Sequence, residues 1–347
     1  MDDKIWLHTM LMNAKCKGDN KFWPDGFIVP QQLGELKQIL KEENLSNSSS
    51  LWISKSRAGY GSHGNRILTL PESLSEFKNA TNQKLQSHLL QRMIDPLVLL
   101  KGYKFSIRIY VVYFSSTEMY ISSEGLVKMA STPLSASNHP HLSQNDDVER
   151  ETNSDDRDAR IHMTNSGREA IMQQHDLKYL WEHLSAVHDG ENTPGGGNET
   201  PSTLWKDICN VSSTVLMEYY SKWVDGQQGD FGTNSELNNC ASQHQQKQLW
   251  KRRREAWGIP KILGLDFVVS KQSNSAYKPK AWLVEVNRFP GLEPRDEVDR
   301  RIKHKVVGDA WKKATDRFGT AGSESHPFQQ IVESLSYYCP ESSLQRL

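Results

Sequence analysis

Residues 104–114 read KFSIRIYVVYF, a stretch dense in β-branched and aromatic side chains. Such residues suit a pleated, half-buried surface and lose rotamer freedom in a helix, so the segment is a strand near the centre of a sheet. Residues 118–130 read as its antiparallel neighbour, with a turn at Glu124-Gly125. Residues 261–269 and 281–286 are two further strands that close the fold. Leu51-Trp52-Ile53-Ser54-Lys55 is another, running into Gly59-Tyr60-Gly61-Ser62-His63-Gly64; a strand near Ile67-Leu68-Thr69-Leu70 completes a hairpin. Helical spacing recurs at Leu33, Leu36, Ile39 and Leu40. It recurs over 204–223, with Trp205, Ile208, Val215, Leu216 and Tyr219 on the buried face, and a charged helix covers roughly 296–314. This mixture predicts an α+β protein built on antiparallel sheets.

Composition narrows the partners. A chain of 347 residues accommodates one large two-lobed domain or two smaller ones. Its 42 basic and 42 acidic side chains cancel, which excludes a globally basic nucleic-acid binder and an acidic, wholly disordered chain. No run approaches the roughly 18–20 apolar residues of a membrane span. MDDKIWLHTM has no apolar signal core, so neither nucleic acid nor membrane is expected as a partner. Cys16, Cys209, Cys240 and Cys339 are scattered and form no CxxC, which predicts reduced thiols in a cytosolic protein. Residues 143–160 hold seven acids, three arginines and no aromatics, and read as a mobile loop; 189–201 and 225–248 are two more polar inserts.

Two acids stand where core residues belong. In AWLVEVNRFPGL (281–292), Glu285 and Asn287 are two apart on a strand, so their oxygens project to the same side. Asp266 repeats the anomaly inside the apolar strand Gly264-Leu265-Asp266-Phe267-Val268-Val269. A carboxylate there is costly unless it is paired or binds a cation. Three oxygen ligands on adjacent strands suit Mg²⁺; the alternative is an ion pair for Glu285 and a turn at Asp266. Gly59, Gly61 and Gly64 allow backbone N–H groups to approach a phosphate, with Lys55 to neutralise it, although an ordinary hairpin turn also fits. Lys104 and Arg108, four apart on the strongest strand, need anionic partners. Either Glu285 and Asp266 or nucleotide phosphates would serve. The KRRR run at 251–254 is a solvated face or a patch for an acidic protein. The histidines form no HxH or HExxH spacing, and GxSxG is absent.

Taken in order, WISKS with its glycine loop, QRMIDPLVLLKGYKFSIRIYVVY, HMTN, GLDF and WLVEVNRFPGL resemble the tubulin–tyrosine ligase-like family over roughly residues 52–311. The resemblance implies an ATP-grasp fold, in which two α+β lobes clamp ATP and Mg²⁺ between antiparallel sheets. It implies a partial N-terminal region (1–50), a small lobe (51–94), a large lobe with the three inserts (95–320) and a C-terminal tail (321–347). Lys55 and the glycine loop would hold the α- and β-phosphates, and Gln91, Arg92, Met93 and Ile94 would form the hinge against the adenine edge. Lys104 would reach the nucleotide and Arg108 the γ-phosphate or an acyl phosphate. Met163 would pack on adenine, with Thr164 and Asn165 near the ribose and the incoming amino acid. Asp266, Glu285 and Asn287 would ligate one or two Mg²⁺.

By the same resemblance, the activity would be an ATP-dependent ligation of free Tyr, Glu or Gly to a carboxylate of tubulin or another acidic protein. A monomer in the cytoplasm, in association with microtubules, is expected. The chain departs from the family at Ser56-Arg57-Ala58, where KPxxxGxG is usual, and at Ser106, where KFDxR has an acid. Lys128 stands where an arginine is frequent, and Arg288-Phe289 replace small polar residues. These departures suggest a second reading, a nucleotide-binding pseudo-ligase that serves as a protein-interaction module.

Overall fold

The structure, a computed structural model, describes residues 3–13, 21–42, 50–57, 65–78, 87–115, 118–134, 173–189, 199–220, 259–271, 279–318 and 343–347. Its elements run α1 (Lys4–Asn13), β1 (Gly26–Val29), α2 (Leu33–Glu42), β2 (Leu51–Ser56), β3 (Arg66–Thr69), α3 (Leu70–Lys78), β4 (His88–Arg92), β5 (Phe105–Ser115), β6 (Glu118–Met129), β7 (Gln174–Asp176), α4 (Leu177–Asp189), α5 (Glu199–Tyr220), β8 (Lys261–Lys271), β9 (Pro279–Asn287), α6 (Glu297–Phe318) and β10 (Leu344–Arg346). The class is α+β, as expected, on two sheets: four strands in the order β1-β4-β2-β3, and six in the order β10-β6-β5-β8-β9 with β7 on β6. No described helix is long and apolar enough to cross a membrane.

Backbone contacts divide the chain into two compact units. The first comprises 1–108, 126–208 and 265–287. Its four-stranded sheet is antiparallel throughout, with Trp52 opposite both Arg92 and Leu68, and Gly26 opposite Gln91. One face buries Phe27, Val29, Trp52 and Leu90 against Leu33 and Leu36 of α2 and Leu70 and Phe77 of α3. Leu33, Leu36 and Ile39 recur every three residues, the apolar stripe a packed helix needs.

The expected strand through Leu70 stops one residue earlier. Glu72 Oε2 accepts from Thr69 N at 2.6 Å and from Thr69 Oγ1 at 2.8 Å, and Glu72 N donates to Thr69 Oγ1 at 3.4 Å. This reciprocal capping box starts α3 at Leu70. Ahead of β5, Lys101 and Gly102 both have positive φ (50° and 84°). Leu100 and Tyr103 exchange backbone hydrogen bonds around them. Two left-handed central residues make the tight turn that matches strand twist, and it delivers Lys104 to the start of β5.

The second unit comprises 109–125, 209–264 and 288–347. On α6, Ile302, Val306, Ala310 and Ala314 are buried one helical turn apart. Asp309 Oδ2 accepts from Ser343 N at 2.5 Å and Ser343 Oγ at 2.7 Å, which seats β10 beside Tyr120–Ser122 of β6.

Other expectations change in detail. β6 runs unbroken through Glu124-Gly125, where a turn was expected, because pairing with its neighbours holds those residues extended. The insert at 189–201 is shorter than expected, since α5 begins at Glu199. α1, β1, α3, β4, α4, β7 and β10 were not anticipated. The inserts at 143–160 and 225–248 lie outside the described residues, as does most of the tail at 321–347.

Candidate active site

β2 carries Lys55 to a buried position, where its ammonium donates to Gln91 Oε1 at 2.7 Å and to the Val284 carbonyl at 3.0 Å. Gln91 comes from the neighbouring strand β4, where it sits opposite Ile53, two residues from Lys55. Gln91 is 1% exposed, and its Nε2 has no partner among the described residues. β8 supplies Asp266 from within the strand, not from a turn. β9 supplies Glu285 and, at its last residue, Asn287.

Asp266 is enclosed on three sides. Arg108 of β5 donates from Nε to Oδ1 at 2.7 Å and from Nη2 to Oδ2 at 2.5 Å, and Asn287 Nδ2 donates to Oδ2 at 3.1 Å. Burial alone would raise the carboxyl, but the charges of Arg108 and Lys128 and these hydrogen bonds outweigh it and hold Asp266 below its ordinary value. Glu285 faces Lys4, the first residue of α1, with Lys4 Nζ 3.8 Å from Oε1. Burial pushes Lys55 down to about 8, opposed by Glu285, furthered by Lys4 and opposed again by Asp266.

A cavity of about 120 Å³ opens here, walled by Lys55, Gln91, Lys104, Ser106, Asp266, Val284 and Glu285, with Arg92, Met93 and Ile94 at one side. A second cavity of about 750 Å³ shares Pro24, Arg92, Met93, Ile94 and Lys104 with it, and is lined beyond them by Lys271, Lys280 and Trp282. Lys104 is fixed at their common wall by its carbonyl, which accepts from Ala130 N at 2.8 Å.

Lys55, Gln91, Arg92, Met93, Ile94, Lys104, Asp266 and Glu285 therefore line one cavity, and Arg108 and Asn287 reach it through Asp266. Of the candidates read from sequence, Gly59, Gly61, Gly64, Met163, Thr164 and Asn165 lie outside the described residues, as does the basic run 251–254. Arg288 lies over the ring of the exposed Phe289. Lys4 was missed. Its segment matches no motif, and the one available signal was Asp3 as a helix cap. Asp3 Oδ1 accepts from Ile5 N and Trp6 N at 3.1 and 3.0 Å.

Among the described residues no three His, Cys, Asp or Glu side chains gather. The oxygens that could hold a metal are those of Asp266, Glu285 and Asn287, two carboxylates and an amide. An all-oxygen set of that size fits a hard cation that keeps several waters, and not a thiolate- or imidazole-seeking one. Asp266 offers about four lone-pair sites, of which the three hydrogen bonds use three.

The profile of the Tubulin-tyrosine ligase family matches residues 1–225. The chain belongs to that family. It is 24% identical over 312 residues to the tubulin monoglutamylase TTLL4 of Mus musculus, an alignment that covers 88% of this chain and 22% of that protein. It is 23% identical over 346 residues to the human tubulin polyglutamylase TTLL7, covering 95% and 32%, and 21% identical over 319 residues to the tubulin polyglutamylase ttll-4 of Caenorhabditis elegans, covering 88% and 42%. This chain thus spans between about a fifth and two-fifths of the length of these relatives.

Proposed function

We propose that this chain binds ATP with Mg²⁺ and uses it to join glutamate to a carboxylate of tubulin or of another acidic protein. The observation that carries the reading is the gathering of Lys55, Lys104, Asp266 and Glu285 on one cavity wall, with Arg108 bound to Asp266 and Lys4 beside Glu285. Lys4, Lys55, Lys104 and Lys128 are each 8% exposed or less, and Arg108 joins them, against only Asp266 and Glu285 among the described charges of the site. A cavity wall so rich in cations suits a polyanionic ligand; a nucleoside triphosphate is one. Glutamate is chosen among Tyr, Glu and Gly because the relatives named above are glutamylases.

ATP supplies the γ-phosphoryl that turns the acceptor carboxylate into an acyl phosphate, from which the amine of glutamate displaces phosphate as the amide forms. Asp266, Glu285 and Asn287 would hold Mg²⁺, which neutralises the phosphate oxygens. Lys55 and Lys104 position the phosphates, and Arg108 faces the charge that develops during transfer. Positioning and charge neutralisation dominate such chemistry, so a site rich in cations suffices. The amides of Arg92 and Met93 are already committed to the Asp25 and Leu51 carbonyls at 2.8 and 2.9 Å. Reading of the adenine edge therefore passes to the Met93 carbonyl and the Ile94 amide, with Gln91 Nε2 behind them. The lobes expected at 51–94 and 95–320 belong to this reading, as do a cytoplasmic place near microtubules and a monomeric enzyme.

Ser106 favours the second reading. It is 3% exposed on the cavity wall, where the family carries an acid, and a nucleotide-binding pseudo-ligase would need no acid there. Purified chain incubated with tubulin, ATP and labelled glutamate separates the two. ATP-dependent incorporation into protein supports the ligase. Normal ATP binding without incorporation overturns the ligase and leaves the interaction module.

A further inference from the structure

Among the described cations of the site, Lys4 is the one that no family motif accounts for. Its ammonium lies 3.8 Å from Glu285, in a residue that is 8% exposed. Lys55 is also close enough to feel Glu285, so two buried ammonium groups share the neighbourhood of one carboxylate.

The helix that presents Lys4 is held in place along its whole length. Asp3 caps it and accepts from Arg57 Nε at 2.7 Å through the other carboxylate oxygen. Lys4 N donates to the Arg57 carbonyl at 3.1 Å. Leu7, Met10 and Leu11 are buried, and His8 Nδ1 accepts from Trp23 Nε1 at 3.0 Å. Arg57 is two residues past Lys55. The start of α1 is therefore tied to the strand that delivers the first phosphate-binding lysine, and Lys4 cannot leave the site without that tie being broken.

We propose that α1 is part of the active site, and that Lys4 is a positioning residue that orients Glu285 and meets the terminal phosphate of the nucleotide. The inference rests on the nucleotide reading above. Glu285 would hold Mg²⁺ in that reading, and Mg²⁺·ATP carries one more negative charge than Mg²⁺·ADP, so a cation held against Glu285 bears more on ATP than on ADP. Lys4 therefore discriminates ATP from ADP. A helix that only stabilised the fold would affect both nucleotides alike.

The test is a fluorescence titration of the 347-residue chain with mant-ATP and with mant-ADP, in native protein and in Lys4→Met, Lys4→Gln and Lys4→Arg, each checked by thermal melting. Loss of one charge-assisted contact weakens ATP at least ~10-fold in Lys4→Met and Lys4→Gln, and ADP by less than about 3-fold; Lys4→Arg restores most of the ratio. An ATP-to-ADP affinity ratio equal to the native one in whichever of the two neutral variants folds overturns the role of Lys4. Failure of the native chain to bind either nucleotide overturns the nucleotide reading itself, and the Lys4 inference with it. If neither neutral variant folds, Lys4→Arg decides: a ratio close to native supports the charge contact, and a collapsed ratio in a folded Lys4→Arg overturns it.

Discussion

Arg108 grips Asp266 with two parallel hydrogen bonds, Nε to Oδ1 at 2.7 Å and Nη2 to Oδ2 at 2.5 Å, around a carboxylate that is 3% exposed. Planar two-point contacts of this kind are the strongest charge-assisted bonds available. Removing one partner strands the other as a buried charge. Arg108→Met should therefore destabilise the chain by about 3–5 kcal/mol. Arg108→Met with Asp266→Asn should recover much of that loss, since no charge is then stranded. Chemical denaturation of the single and double variants measures both. Additive effects would show that the pair is not coupled.

Lys55 shows the opposite balance. Burial lowers it from 10.5 to about 8, a difference that converts to up to about 3 kcal/mol held against the folded state. Lys55→Met should melt at or above the native temperature while ATP affinity falls at least ~10-fold. Retained nucleotide affinity in a stable Lys55→Met would remove Lys55 from the phosphate site.

His8 makes the fold sensitive to acid. Burial lowers it from 6.5 to about 4, against a hydrogen bond to the Gly26 backbone and the charge of Asp25, with Lys55 adding to the fall. Trp23 Nε1 donates to Nδ1, which needs the neutral ring. The unfolded chain takes up a proton near 6.5 and the folded chain only near 4. The increment is thus complete above 6.5 and is lost as pH falls to about 4, about 3 kcal/mol in all. His8→Leu lacks it, so the stability advantage of the native chain over His8→Leu should shrink by that amount across the window. A constant gap would contradict the assignment.

Gly26 leaves little room for a side chain. A Cβ there would lie 3.0 Å from the Leu90 carbonyl oxygen and 3.0 Å from His8 Cε1. The first of these neighbours is backbone in a paired strand, which gives way less readily than a flexible side chain. Gly26→Ala should cost about 1–3 kcal/mol, visible as a lower melting temperature.

The long strands were legible because burial on both faces writes a continuous run of Val, Ile, Tyr and Phe, as in β5, and because a lone Asp or Glu interrupts β8 and β9 conspicuously. The same interruption singled out Asp266 and Glu285, which line one cavity. β7 and β10 are three residues long, too short to hold a period, and exist through pairing with β6. Glu124-Gly125 has turn chemistry, which tertiary pairing overrides. α1 escaped notice because its apolar residues surround the helix and mark no stripe: Ile5, Trp6, Leu7, Met10, Leu11 and Met12 leave a periodic reading nothing to register. Lys4 went with it. A lysine four residues from the N-terminus acquires meaning only when the fold sets it against Glu285, 281 residues along the chain.

Calorimetric titration of Mg²⁺·ATP into the native chain and into Glu285→Gln bears most directly on the whole account. One equivalent should bind to the native chain, and Glu285→Gln should lose about 1–2 kcal/mol of that affinity, a factor of roughly 5 to 30. A native chain that gives no binding heat and no shift in melting temperature, or a Glu285→Gln variant that titrates identically to it, would contradict the account.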